Sequence, residues 1–370
     1  MTKACYVGVA GKARKVKKIY VGVANKARKV KKAYVGVGGK ARPFFSAEQK
    51  LSYYGTVTPL SEARNNLGAT TVRSYGLFGG GRSNRYILST VDAYNTSLVR
   101  STPTSLSQAR RGLAATTVGG YGLFGGGSVD KFNAPASQVD AYSPSLVHST
   151  ATSLSIARDS LAATTAGNYT LGLFGGGRET TTDYEEYSVD AVDAYNTSLV
   201  RSTPTSLSQA RLSLAATTVG GYGLFGGGYE YDNYDQTTYH YDTVDAYSPS
   251  LVRSTPTSLS QARLGLAATT VGGYGLFGGG STGSWFSTVD AYNTSLVRST
   301  PTSLSQARTS LAATTVGGYG LFGGGSTGSW FSTVDAYNTS LVRSTPTSLS
   351  QARTSLAATT VGGYGLFGGG

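Results

Sequence analysis

The sequence predicts an all-β protein: a seven-bladed β-propeller closed by both chain ends, preceded by a basic leader of β-hairpins or a short meander. Three observations carry this. The string LFGGG recurs seven times, ending at Gly81, Gly127, Gly177, Gly228, Gly280, Gly325 and Gly370. The segments between are rich in Thr, Val and Tyr and punctuated by Gly or Asn-Thr-Ser, which favours strands over helices. The period, 45 to 52 residues, suits a four-stranded unit that cannot bury a face alone and must stack on its neighbours.

The leader comes first. YVGVAGKARKVKKI, YVGVANKARKVKKA and YVGVGGKARPFF begin at Tyr6, Tyr20 and Tyr34, a period of 14. Ala10-Gly11, Ala24-Asn25 and Gly38-Gly39 are two-residue turn signals between β-rich runs. Strands of about 12 residues would set Ile19, Val21 and Val23 on one face, with Tyr20 and the bases on the other. Residues 1–50 hold 14 of the 32 Lys and Arg and one acid, Glu48, whereas the remainder holds 18 bases and 18 acids. The net charge of +13 therefore belongs to the leader, and Lys131 is the only lysine of the body. Such density suits phosphates, so a nucleic-acid arm is one reading. The aromatics, however, are evenly spaced rather than clustered for base stacking. A short basic sheet gains stability by pairing, so residues 1–45 are expected to dock on another copy or a neighbouring protein. Residues 46–50 read as a linker.

The body, residues 51–370, repeats four short β segments. In the fifth unit these are LAATTV, YGLF with its triple Gly, STVDAYN and LVRSTPT. The body opens with LSYYGTVTPLSEAR, which reads as a worn third and fourth strand ahead of Arg64, and it stops at Gly370, where a second strand ends. Joining the two ends into one blade would hide both strand edges.

Glycines at the end of the second strand, a Val-Asp-Ala-Tyr third strand and an Arg opening the next unit together resemble kelch repeats. Gly125, Gly126, Tyr142 and Arg158 stand at matching positions, and the resemblance covers residues 51–370. The fourth-strand Trp of kelch repeats is absent, and pairs such as Leu98-Val99 lie near its place, which implies different outer-strand packing. The leader is similar to short tandem repeats of phage structural proteins of Gram-positive hosts. The kelch resemblance implies a fold and leaves activity open.

Catalysis finds little material. One cysteine, Cys5, and two histidines, His148 and His240, exclude a disulfide framework and a multi-cysteine metal site. A kelch-type copper-radical oxidase needs a Tyr cross-linked to Cys plus two imidazoles, and Cys5 lies outside the repeats. Asp-box turns of sialidase-like propellers are absent. Glycoside hydrolysis needs two positioned carboxylates; the dense acids Glu185, Glu186, Glu230, Asp232 and Asp235 lie in the longest loops without metal-ligand spacing. No catalytic residue, metal or cofactor is expected. No run of 18 apolar residues suggests a membrane span, and no secretory signal is visible.

Binding finds more. Antiparallel alternation puts the 1–2 and 3–4 turns on one face and the 2–3 loops with the inter-unit links on the other. The first set is nearly constant. The 2–3 loops vary from 8 to 15 residues and include RSNRYILST, RETTTDYEEYSVDA, YEYDNYDQTTYHYDT and STGSWFST. A constant frame with variable aromatic loops has the composition of a binding surface. The candidate residues are Tyr86, Tyr184, Tyr187, Tyr229, Tyr231, Tyr234, Tyr239, Tyr241, Trp285, Phe286, Trp330 and Phe331; packing of these rings on neighbouring blades is the other reading. Arg64, Arg110, Arg158, Arg211, Arg263, Arg308 and Arg353 recur at the start of the innermost strand and would ring the channel mouth on that same face. They read either as an anion-binding ring or as structural partners of Asp92, Asp140, Asp193, Asp245, Asp290 and Asp335 across blades.

The expectation is a non-enzymatic binding or structural protein. The setting that fits is a phage virion, as a tail, baseplate or capsid-decorating component that contacts a host surface protein, a glycan or a virion neighbour. Synthesis in the cytoplasm without a signal peptide agrees with release by lysis. A bacterial cell-surface or filament-forming adhesion protein is the alternative, and a glycan-active propeller enzyme a third.

Overall fold

The computed structural model describes residues 6–9, 12–15, 20–23, 26–30, 32–37, 40–46, 51–130, 134–181 and 185–370. The chain divides into two compact units, Met1–Leu51 and Ser52–Gly370.

The first unit contains three hairpins: Tyr6–Val9 with Lys12–Lys15, Tyr20–Val23 with Lys26–Lys29, and Lys32–Val37 with Lys40–Ser46. Their registers agree, with Val9 opposite Lys12, Val23 opposite Lys26 and Val37 opposite Lys40. The described strands are four to seven residues long and form separate two-stranded sheets, not one meander. The reason lies in the repeat: its turn pair sits midway between YVGV and KARK, so each repeat supplies both strands of one hairpin. The turn pairs themselves and Ile19 lie outside the described residues.

The second unit is a β-propeller with six four-stranded blades. The first is built from Gly68–Val72, Tyr75–Gly79, Val91–Asn95 and Arg100–Ser101, in sheet order. Five more follow, with inner strands Ala114–Val118, Ala162–Ala166, Ala215–Val219, Ala267–Val271 and Ala312–Val316. The seventh blade expected from the two chain ends is not formed. The remaining sector holds a two-stranded hairpin, Ala357–Val361 with Tyr364–Gly368, and residues 51–59 contribute no strand. The N-terminal segment carries the Thr58, Leu60, Ser61 and Arg64 of a link but no Val-Asp-Ala-Tyr, so it packs as a link. Val57 and Leu60 lie against Leu67, Phe78 and Tyr94, and the Tyr94 hydroxyl donates to the Thr58 carbonyl at 2.9 Å.

Two devices close the ring. At the links, seven residues with φ between 51° and 64° chain their backbones in a circle. Asn66 N–H donates to Ser355 O, Gly112 to Asn66, Ser160 to Gly112, Ser213 to Ser160, Gly265 to Ser213, Ser310 to Gly265 and Ser355 to Ser310, each at 2.9 or 3.0 Å. Along the inner strands threonines do the same: the Thr117, Thr270 and Thr360 hydroxyls donate to the Thr71, Thr218 and Thr315 carbonyls of the preceding strands.

The core lies between blades. Val118, Leu123, Val139 and Ala141 of the second blade pack with Leu154 and Leu161 of the link and with Phe174 and Tyr195 of the third. Burying the Val, Leu and Phe side chains among them contributes roughly 1.5–3 kcal/mol each. The first Gly of each triplet is fixed by this stacking. A Cβ on Gly226 would stand 2.9 Å from the Phe277 ring of the next blade, and one on Gly368 would stand 2.8 Å from Phe78.

Candidate binding face

The arginines form the base of the loop face. Arg64, Arg110, Arg158, Arg211, Arg263 and Arg308 are buried, not displayed at a channel mouth. Each lies on a link, and its Nη2 reaches the aspartate of the blade that the link enters: 2.7 Å for Arg64–Asp92, Arg158–Asp193 and Arg211–Asp245, 2.6 Å for Arg263–Asp290 and 2.8 Å for Arg308–Asp335. Arg110–Asp140 is the sixth pair. The pairing therefore runs from link to sheet within one unit. Each carboxylate also accepts a link serine N–H, as Asp290 does from Ser260 at 3.1 Å. Most take an outer-strand cation as well, as in Arg298–Asp290 at 2.8 Å. Burial pulls the pKa of Arg110, Arg158, Arg211, Arg263 and Arg308 below the ordinary arginine value, with the facing aspartate opposing the shift. Arg353 is half-buried and forms no ion pair among the described residues; it donates to the Gly369 carbonyl at 3.1 Å.

The 2–3 loops are pinned to this base, which gathers them on one side. The residue after each third Gly bridges the residue after an arginine: Arg82 with Asn65, Ser128 with Arg111, Arg178 with Asp159, Tyr229 with Leu212, Ser281 with Leu264 and Ser326 with Thr309. A second pin comes later in each loop. Leu88, Ala136, Val189, Tyr241, Phe286 and Phe331 donate N–H to the last Gly carbonyl and accept the N–H of the following arginine.

This splits the candidate residues. Tyr241, Phe286 and Phe331 are half-buried at the second pin, and Tyr229 is half-buried at the first. Tyr86, Tyr187, Tyr231, Tyr234, Tyr239, Trp285 and Trp330 are exposed; Tyr234 is 98% accessible, Trp330 59% and Trp285 46%. Tyr184 lies outside the described residues.

The two long loops fold as hairpins, Arg178–Thr180 with Glu186–Ser188 and Tyr229–Asp232 with Thr237–His240. They touch, with Asn233 donating to the Glu186 carbonyl at 2.6 Å. Acids hold several of their phenols. Tyr239 donates to Asp235 at 2.9 Å, Tyr241 to Glu230 at 2.6 Å, and Tyr187 to Glu185. Those bonds raise the Tyr187 and Tyr239 pKa, and the Tyr239 bond lowers that of Asp235. Burial first, then Glu230, pushes Tyr241 up to about 12. Beside the first loop a cleft of about 300 Å³ is lined by Arg82, Arg85, Tyr86, Ile87 and Arg111, among others. No group of three or more His, Cys, Asp or Glu among the described residues is placed to hold a metal ion.

No protein-family model matches the chain, and no curated protein matches it. Among solved structures the chain is similar to one described as "Structure of YjhT", with a TM-score of 0.59 and 10% identity over 79% of this chain and 99% of that one. At that identity the likeness concerns the fold alone.

Proposed function

We propose that this is a non-enzymatic binding protein that engages a macromolecular partner through the 2–3 loop face of its propeller. One observation carries the reading. Seven of the loop aromatics stand exposed above a base of link arginines and third-strand aspartates, six pairs of which are buried. Large rings held on pinned loops offer contact area with little ordering cost, and such residues dominate interface energies. The partner we favour is a host surface component or a neighbouring virion protein, with the chain a phage virion component. The phage-like leader repeats support that setting, and the kelch-like repeats support a recognition role.

The experiment pairs binding with folding. Trp285→Ala with Trp330→Ala, or Tyr231→Ala with Tyr234→Ala, is expected to weaken partner binding by about 1–3 kcal/mol while the denaturation midpoint stays put. Mass spectrometry of purified particles from the native host is expected to find the chain in virions. Unchanged binding together with a lowered midpoint would make the rings packing residues and end the proposal.

A further inference from the structure

The cleft beside the first loop gathers cations and has no acid in its wall. The loop of residues 82–90 carries two arginines and no carboxylate, and the link of residues 101–111 carries Arg110 and Arg111 and none either. Arg82, Arg85 and Arg111 all line the cleft, together with Tyr86. Two units further on, the same backbone position is neutralised. Arg178, like Arg82, directly follows a third Gly, and it pairs with Asp159 at 3.0 Å and with Glu186 at 2.7 Å. In the first unit Asn65 stands where Asp159 does, next to the link arginine, and it meets Arg82 through the backbone. No carboxylate reaches Arg82 or Arg85 among the described residues. Asp130, next in sequence to the lining residue Val129, accepts the Ala134 N–H within its own loop at 2.8 Å.

The backbone holds these cations in place before any ligand arrives. Arg82 exchanges hydrogen bonds with Asn65 at 2.9 and 3.0 Å, and Arg111 does so with Ser128 at 2.7 and 3.0 Å. Within the loop, Ser83 Oγ accepts the N–H of Arg85 at 3.4 Å and that of Tyr86 at 3.1 Å, and the Ser83 N–H donates to the Tyr86 carbonyl at 2.9 Å. That turn sets Arg85 and Tyr86 together on the cleft. The rest of the wall is apolar, from Ile87, Ala109 and Val129. Tyr86 is 67% accessible, so its ring is open to a ligand.

We propose that this cleft binds a sugar phosphate. Two guanidiniums without counter-ions match the charge of a phosphomonoester, roughly −1.5 to −2 at pH 7, and its three oxygens can accept from both forks. A carboxylate brings one charge and two oxygens, which would leave one arginine unmatched. The apolar wall and the Tyr86 ring favour an ester over a bare ion, because they would cover its carbon skeleton. A volume of about 300 Å³ lies at the small end of ligand sites and fits one sugar unit. The proposal deepens the loop-face reading and rests on it: a surface glycan ending in a sugar phosphate is the host component that this part of the face would hold.

The probe is glucose 6-phosphate, titrated calorimetrically into the full-length protein at low salt, where screening is weak. Saturable binding in roughly the submillimolar range is expected, with inorganic phosphate, glucose and glucuronate each weaker by about tenfold or more. The 14 bases of residues 1–50 also attract phosphates, so Arg82→Gln and Arg85→Gln separate the two sites. Both residues are exposed, and each change should weaken binding about tenfold with the denaturation midpoint unmoved. Binding of the ester that survives both changes belongs to the leader and overturns the proposal. So does glucuronate or inorganic phosphate binding as tightly as the ester, or no binding at about 10 mM. The titration uses no partner of the loop face. Its failure therefore leaves the reading from the exposed aromatics to stand or fall on the Trp and Tyr variants.

Discussion

Single residues in this molecule answer to the blade next door. Gly226 ends a second strand, and the Phe277 ring of the following blade lies where its Cβ would be. Neither can yield, since Phe277 is also held edge-on by Tyr292 at 6.0 Å. Gly226→Ala is therefore expected to cost about 1–3 kcal/mol through overpacking, read as a lower midpoint in urea. The Arg263–Asp290 pair argues from charge instead of volume. Both side chains are fully shielded from water, and burial works against the charged guanidinium. Asp290→Ala leaves that cation buried without its counter-ion and should cost about 3–5 kcal/mol. Removing both charges, with Arg263→Met and Asp290→Leu, should recover most of that loss. If the double variant is no more stable than Asp290→Ala, the cost comes from packing and not from the stranded charge.

At the level of elements, links and loops divide the work. Links carry the Ser, Arg and Thr that the blades require, and loops are pinned at two backbone points, the two longest folding as hairpins between them. The leader hairpins stand outside this scheme, each pairing a YVGV segment with the KAR segment of the same repeat. Removing the leader is thus expected to leave a folded propeller: residues 46–370 should sediment as a monomer, and the full chain as a larger species. Oligomers of the truncated protein would locate self-association in the propeller instead. Much of this organisation could be read from the repeats, because Val-Asp-Ala-Tyr, LFGGG and the link arginine each recur with a fixed packing role. The count of blades could not. Residues 51–64 match a link from Thr58 onward, and the mismatch that mattered was the absent aspartate, visible only as seven arginines facing six acids. Within the loops, aromatic identity alone did not separate Phe286 and Phe331 from Trp285 and Trp330. The separating signal is position, since Phe286 and Phe331 occupy the pin that Leu88, Ala136 and Val189 fill in other repeats.

Across the whole molecule the ring is fastened by tyrosines, and this makes its stability depend on alkaline pH. Tyr94, Tyr142, Tyr195, Tyr247, Tyr292 and Tyr337 each donate their hydroxyl to a link carbonyl between 2.6 and 2.9 Å. Burial, reinforced by the adjacent aspartate, pushes Tyr94 up to about 12 and raises the other five as well. The folded protein thus holds these protons more tightly than the unfolded chain, whose phenols ionise near about pH 10. Below that value both states are protonated and the tyrosines add no pH dependence. Above it the unfolded chain gains from ionisation while the fold does not, so stability falls until the pH passes the folded values. Six such groups act together on one closed ring, so the decline should be steep and cooperative. The melting temperature is expected to hold steady from about pH 7 to 9 and drop sharply above about pH 10. Phenolate absorbance should rise in two waves, the second coinciding with loss of the far-ultraviolet β-sheet signal. A single reversible wave near about pH 10, with the β signal intact, would show that these hydroxyls reach solvent and that the ring is fastened by other means.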